Sequence, residues 1–358
     1  MALRCALIGI PSCGKTVIFN AITSARAPLY GASEANRVIV NLPDERMTRL
    51  VDMYHPRKVV YATLEVADTP GVRADDNSRR SRLVGSIKDV EALLHVIRCF
   101  EDEQVPFEHA TIDPVRDTET VDLEMMASDS ATLQNKLERI AKKARSGDKD
   151  AVRETANCEK VLSAIQEGIP ARRQELSSQE IASVKECNLV SLKPVLYIAN
   201  INSMSEQDNK YVRTVRELAA KDKSETIVIS GKDEADISEL EPGDRALFLK
   251  ELGIEESAIE RLLQAAYRKL GLITFFTTGE DEVRAWTCRR GDKAPVAAGK
   301  IHSDMEAGFI RMEVMKYSDL MEAGSEAALA RAGKQHLEGR EYEVQDGDIV
   351  TVRFNAAR

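Results

Sequence analysis

The chain opens on a short apolar run, Ala6-Leu7-Ile8, broken by Gly9-Ile-Pro-Ser-Cys-Gly14 and followed by apolar residues at Val17, Ile18, Phe19, Ala21 and Ile22. That order predicts a buried strand, a tight loop and a helix. Ala25 to Asn36 is a polar connection containing Gly and Pro, where a mobile switch would sit. Val38-Ile-Val40 and Thr63-Leu-Glu-Val-Ala67 read as strands, the second ending in Asp68-Thr-Pro-Gly71. A charged, turn-rich loop from Arg73 to Arg82 follows, whose arginines either remain solvated or reach a phosphate in cis. A helix is then expected from Leu83 to Val90 and a buried strand from Ala92 to Phe100, with His95 as a core or strand-edge histidine.

From about Asp117 the pattern changes. Leu133, Leu137, Ile140 and Ala144, then Val152, Val161, Leu162 and Ile165 after the break at Ser146-Gly147-Asp148, predict two antiparallel helices in a projecting coiled hairpin. Lys136, Arg139, Lys142, Lys143 and Arg145 would make one side basic, either as an ordinary solvated face or as an RNA-contacting one. The α/β pattern returns at Lys193 to Asn200 and Glu225 to Lys232. Two helices between Leu247 and Leu270 would close the domain, with Leu252-Gly253 as a C-cap. A small α+β module ends the chain, with strands at Leu272 to Phe276, Val283 to Cys288 and Glu341 to Phe354, and a tight hairpin turn at Asp346-Gly347. Arg284, Arg289, Arg290, Lys293, Lys300 and Arg311 in it form either a basic patch or scattered surface charge.

Composition narrows this picture. At 358 residues, 43% hydrophobic and 30% charged, the chain reads as soluble, globular and divided into two or three domains. A net charge of −9 argues against coating nucleic acid through bulk charge and leaves only local basic faces for that purpose. The six cysteines are dispersed without a CxxC or Cys/His cluster, so neither a zinc site nor a disulfide framework is suggested, and a reducing, cytoplasmic setting fits. Cys13, beside Lys15, is either an activated thiolate or, on the plainer reading, a small residue filling the loop. The apolar opening is too short for a signal sequence, and no run approaches the roughly 18 apolar residues of a membrane span.

The chemistry lies in the breaks between strands. Gly9 to Thr16 has the spacing of a phosphate-binding loop: Gly9 and Gly14 let backbone N–H groups wrap phosphates, Pro11, Ser12 and Cys13 complete the turn, Lys15 reaches the outer phosphates, and the Thr16 hydroxyl can ligate Mg²⁺. A helix starting there, at Thr16 and Val17, adds its positive end. Asp68 at a strand end suits the Mg²⁺ shell, and Gly71 offers its N–H to the terminal phosphate. Lys15 and Gly71 are thus the catalytic candidates, Thr16 and Asp68 the metal ligands. Val72 stands where Ras-like enzymes carry the Gln that orients water, so hydrolysis is slow or another group positions the water. Asn200 and Ile201, with Ser230-Gly231-Lys232, occupy the base-reading loops. Asn200-Ile-Asn-Ser203 lacks the Asp that accepts guanine's hydrogen bonds, which favours ATP over GTP, whereas Ser230-Gly-Lys232 looks like the base loop of true GTPases.

With those pieces in place the sequence resembles the YchF family, the Obg-like ATPases, over nearly its whole length. The resemblance rests on the phosphate loop with Phe19-Asn20-Ala21, His95-Val-Ile-Arg-Cys-Phe-Glu101, Asp113-Pro-Val-Arg-Asp117, Gly147-Asp-Lys-Asp150, Leu192 to Asn200, Glu282-Val-Arg-Ala-Trp-Thr287, Ala298-Gly-Lys-Ile-His302, Gly308-Phe-Ile-Arg311 and Val344-Gln-Asp-Gly-Asp348. It implies an α/β P-loop NTPase G domain over 1–118 and 190–273, an inserted α-helical coiled-coil hairpin over 119–189, and an α+β β-grasp (TGS) domain over 274–358. It further implies slow hydrolysis of ATP, Mg²⁺ as cofactor and ribosome or RNA association, with a protein regulator reached through the coiled coil or the TGS domain. The expected state is a cytoplasmic monomer without membrane contact. Departures cluster at the nucleotide: Ser12 replaces an Asn tied to K⁺ use, Ala32 stands where a switch Thr is usual with Ser33 beside it, the second switch is shorter, Ser203 replaces Glu, and the family's His aligns near Phe107, with His109 displaced. They leave a second reading open, a regulatory module that binds ATP or GTP with little or no hydrolysis. A P-loop kinase does not fit the TGS-like tail.

Overall fold

The computed structural model describes residues 3–25, 37–72, 77–107, 109–240, 244 and 256–355. In chain order, β1 (Leu3–Ile8), α1 (Lys15–Ala25), β2 (Arg37–Asn41), α2 (Glu45–Tyr54), β3 (Lys58–Val60), β4 (Thr63–Asp68), α3 (Asn77–Ile87) and β5 (Ala92–Arg98) lead into α4 (Pro114–Arg145) and α5 (Lys149–Gln166). Next come α6 (Ser178–Val184), β6 (Val195–Ile201), α7 (Lys210–Lys221), β7 (Thr226–Ser230) and α8 (Gly231–Glu239). A helix at Ala258–Lys269 precedes β8 (Leu272–Thr277), β9 (Glu282–Arg289), β10 (Phe309–Lys316), β11 (His336–Glu338) and β12 (Asp348–Phe354). The switch positions Ala32 and Ser33, Arg73 to Asp76, and the predicted cap at Leu252-Gly253 lie outside the described residues.

One compact unit holds residues 1–40 and 65–266, the other residues 41–64 and 267–358. The first is built on a six-stranded sheet in the order β2-β4-β1-β5-β6-β7. β5 and β6 are buried at every residue, which is why they read as unbroken apolar runs: a central parallel strand is covered on both faces. β1, β5, β6 and β7 run parallel, with Ile8 opposite His95, His95 opposite Tyr197 and Asn200 opposite Ile229. Their carboxyl ends therefore open on one edge of the sheet, the edge at which α/β proteins place ligands. His95 is a core residue, stacked on Tyr197 at 5.8 Å between centroids, and burial pushes its pKa down to about 3.

The helical hairpin is present, and it carries a third layer. Asp113 caps α4 by accepting from the N–H groups of Val115 and Arg116, with Pro114 at the first helical position. The turn at Gly147 takes φ +85°, and Asp148 accepts from Ala151 N to start α5. Val184, Cys187 and Leu189 join Met126, Leu133, Cys158, Val161 and Ile165 in one apolar cluster. That layer corrects the expected basic face. Lys136 is buried, donating to Ser183 O at 2.6 Å and paired with Glu154, whereas Arg139, Lys142, Lys143 and Arg145 stay exposed. Among the described residues no helix is long and apolar enough to cross a membrane.

The second unit has a mixed sheet in the order β11-β10-β12-β8-β9-β3, covered by a helix at Ala294–Ile301, the α+β arrangement expected of a β-grasp domain. β3 joins it by parallel pairing with β9, Lys58 opposite Glu282, and Arg46 of α2 pairs with Asp346 at 2.9 Å and lies 5.1 Å from the Phe276 ring. Residues 41–64 thus pack with a sheet more than two hundred positions further on. The expected hairpin at Asp346-Gly347 is corrected. β12 begins at Asp348, and of the preceding stretch only Glu343 bridges, to Lys293. The turn is held by the buried Asp348 carboxylate, which accepts from Lys316 Nζ, Tyr342 OH and Gln345 N at 2.6, 2.7 and 2.8 Å. The basic side chains here are partly neutralised, Lys293 by Glu341 and Arg284 by Glu282.

Candidate functional site

β1 delivers the chain into the loop 9–14, and α1 begins at Lys15. Two glycines make that path possible. Gly9 has φ +150°, and a Cβ there would lie 2.5 Å from Val96 O. Gly14 has φ +97°, and a Cβ would lie 2.1 Å from Asn200 Nδ2. Ser12, a non-glycine residue at φ +59°, carries the strain of the turn between them. The Asn200 amide fastens this loop to the rest of the edge, donating through Nδ2 to Cys13 O at 2.9 Å and accepting through Oδ1 from Gly231 N at 3.1 Å. Gly14→Ala is therefore expected to displace Asn200 and raise the Kd for nucleotide by more than about ten-fold, as measured by calorimetry.

Lys15 is buried, and its Nζ donates to Gly9 O at 3.0 Å and Ile10 O at 2.9 Å. Cys13 lies behind the loop, fully buried. Burial pushes its thiol pKa up, and Lys15, 3.7 Å away, offsets this only in part, so it fills space and is not a thiolate. The end of β4 is clamped to the same loop. Thr69 Oγ1 donates to Leu7 O at 2.6 Å, Val72 N donates to Gly9 O at 3.0 Å, and a Cβ on Gly71 would touch Pro11 at 3.0 Å. This clamp brings Thr16 Oγ1 to Asp68 Oδ2, donating at 3.0 Å, while Asp68 Oδ1 is buried and, among the described residues, without a partner. A hydroxyl and an anionic oxygen with an unspent lone pair suit Mg²⁺, which takes one or two protein oxygens and completes its octahedron with water and phosphate.

A cavity of about 370 Å³ opens beside these groups. Ser12, Gly14, Lys15, Thr16 and Val17 line one side, and Asn200, Ile201, Asn202, Gly231 and Lys232 another. Gly9, Pro11, Cys13, Asp68, Gly71 and Ser230 are not among its lining residues. Ser230 is fully buried and caps α8, accepting from Asp233 N at 3.2 Å and donating to Asn202 O at 3.1 Å. Ser203 also turns away from the lining, accepting from Ser205 N. The third wall, Phe100, Asp102 and Val105, escaped sequence reasoning, as did Asn202. The signal was available in the strand run ending at Phe100, because the loop after a strand adjoining β1 opens on the ligand edge. Asp102 also supplies a carboxylate that the base-loop argument did not count, with Oδ1 accepting from Gln104 N at 2.8 Å.

A phosphate loop at the head of β1, an aspartate from β4 facing its threonine, and an asparagine from β6 bridging that loop to the start of α8 define a P-loop nucleotide-binding protein of the G-domain class. A family profile described as "50S ribosome-binding GTPase" matches residues 4–129, and the YchF-GTPase_C profile, described as a protein of unknown function, matches residues 272–355. The chain is 40% identical to the "Ribosome-binding ATPase YchF" of Bacillus subtilis over 99% of its own length and 100% of that protein. It is 36% identical to "Obg-like ATPase 1" of Oryza sativa, covering 99% of this chain and 93% of the relative. The solved Schizosaccharomyces pombe YchF GTPase superposes with a TM-score of 0.89 at 30% identity, covering 98% of this chain and 97% of that one. The chain belongs to the YchF family of Obg-like ATPases.

Proposed function

We propose that the protein is a slow, Mg²⁺-dependent nucleoside-triphosphatase that favours ATP and acts as a cytoplasmic, ribosome-associated switch. The observation that carries this reading is the Thr16–Asp68 pair, with an Asp68 oxygen unpartnered among the described residues, beside a buried lysine whose oxygen partners are two backbone carbonyls. In this reading Lys15 leaves Gly9 O and Ile10 O to meet the outer phosphate oxygens, and the N–H groups of the loop cradle the inner ones. Thr16 and Asp68 would hold Mg²⁺, which when bound would offset the negative charge of the phosphates. Gly71 N–H meets the terminal phosphate, so that its loss frees the clamp against Pro11. Val72 is buried and apolar, which supports slow turnover because it cannot orient water. Asn200, Ile201 and the Ser230–Lys232 loop hold the base.

Ribosome association is proposed from the names of the relatives, with Arg139, Lys142, Lys143 and Arg145 at the far end of the 119–189 arm as local contacts in an otherwise acidic, monomeric protein. Asp102 favours a second reading, in which GTP is also accepted. Calorimetry with ATP and GTP, each with Mg²⁺ and with a chelator, tests the proposal. ATP is expected to bind more tightly than GTP, and chelation to weaken both. Equal affinities would establish dual specificity, and absence of binding would overturn the reading.

A further inference from the structure

Arg98 ends β5 in register with Asn200, and its side chain is among the most deeply buried of the molecule. Its guanidinium spends its donors on three backbone carbonyls: Nε on Phe100 O at 3.2 Å, Nη2 on Asp102 O at 3.2 Å and Nη1 on Val105 O at 3.4 Å. It also lies over two rings, 4.4 Å from the centroid of Phe100 and 4.8 Å from that of Phe107. The three residues whose carbonyls it collects are the same three that line the third wall of the cavity.

We propose that Arg98 is the positioning residue for the base and ribose side of this cavity: it holds residues 100–105 as a fixed wall without touching the nucleotide. The proposal rests on the nucleotide reading given above. Residues 99–107 form neither helix nor strand, so their shape depends on a partner that captures several carbonyls together. A rigid, planar fork with five donors and two stacking faces does this, whereas the compact ammonium of lysine can neither fork nor stack in the same way. The phosphate cradle is built separately, by the loop 9–14 and α1, and does not need the wall.

The test is calorimetric, with ATP and with inorganic tripolyphosphate, which fills the phosphate cradle but has no base or ribose. Arg98→Met and Arg98→Lys are both expected to raise the Kd for ATP by about ten-fold while leaving that for tripolyphosphate within about two-fold. Phe107→Leu, which removes one stacking face at a residue outside the cavity, is expected to shift ATP alone by about three-fold, and it decides the matter if the Arg98 variants do not fold. Unchanged ATP affinity, or equal losses for both ligands, overturns the proposal. Failure of the unsubstituted chain to bind ATP overturns the nucleotide reading itself and the proposal with it.

Discussion

Replacing Lys15 with alanine is expected to lower single-turnover hydrolysis of ATP by about a hundred- to a thousand-fold, the range found when one preorganised donor to developing charge is removed. The structure gives this substitution its leverage. The ammonium is buried, and its two oxygen acceptors, Gly9 O and Ile10 O, are neutral carbonyls that cannot cancel its charge. An anion arriving at the loop is thus met by a cation that is already desolvated and has only to exchange two neutral carbonyls for phosphate oxygens before it can stabilise charge on the leaving oxygen. Alanine removes that cation and leaves the two carbonyls without their donor. The fold should survive, because Gly9 and Gly14 still set the path of the loop and Asn200 still fastens it. Turnover equal to that of the unsubstituted chain, at an unchanged thermal midpoint, would overturn the assignment of Lys15 to catalysis.

That the phosphate loop and the end of β4 were legible in the sequence has a local cause. Gly9, Gly14, Lys15 and Thr16 are neighbours whose spacing is set by a single turn, and Asp68 to Gly71 form a second such turn. The strands were legible because β5 and β6 are buried on both faces, and the hairpin because its apolar spacing runs for several turns. Residues whose partners are distant in sequence were not legible. Lys136 looked like surface charge because Ser183, its carbonyl partner, lies on a helix that no pattern in α4 announces. The placement of β3 in the second sheet depends on β9, more than two hundred residues away. Phe100, Asp102 and Val105 became cavity residues only when Arg98 gathered their backbone, an arrangement that no spacing rule encodes.

The second large effect is expected at the root of the helical arm. Arg172 donates from Nη2 to both oxygens of Asp122 at 2.7 Å and from Nε to Asp222 Oδ2 at 2.6 Å, and Asp222 also accepts from Arg173 and, at 2.6 Å, from Tyr197 OH. These groups tie α4 and the C-cap of α7 to β6, three residues before Asn200. Arg172→Met would leave two carboxylates buried together with one arginine at the edge, and breaking a buried network in this way is expected to cost about 3–5 kcal/mol. The pH dependence identifies the cause. In the unsubstituted chain burial alone would raise the pKa of Asp222, but Arg172, Arg173 and Tyr197 outweigh it and hold the carboxyl below its ordinary value. A carboxyl whose folded-state pKa is depressed contributes stability above the unfolded value, and that contribution is lost as pH falls from the ordinary aspartate pKa of about 3.9 through the lower folded one. Asp122 differs, because burial already raises its pKa in the unsubstituted chain despite Arg172 and Arg173. In the variant, burial and like-charge repulsion raise both carboxyls, so protonation favours the folded state and stability should climb more steeply than in the unsubstituted chain as pH falls from 7 toward about 5. Denaturant midpoints measured across that range would therefore diverge at neutral pH and converge on acidification. A constant gap would mean that lost packing, and not stranded charge, is what the substitution exposes.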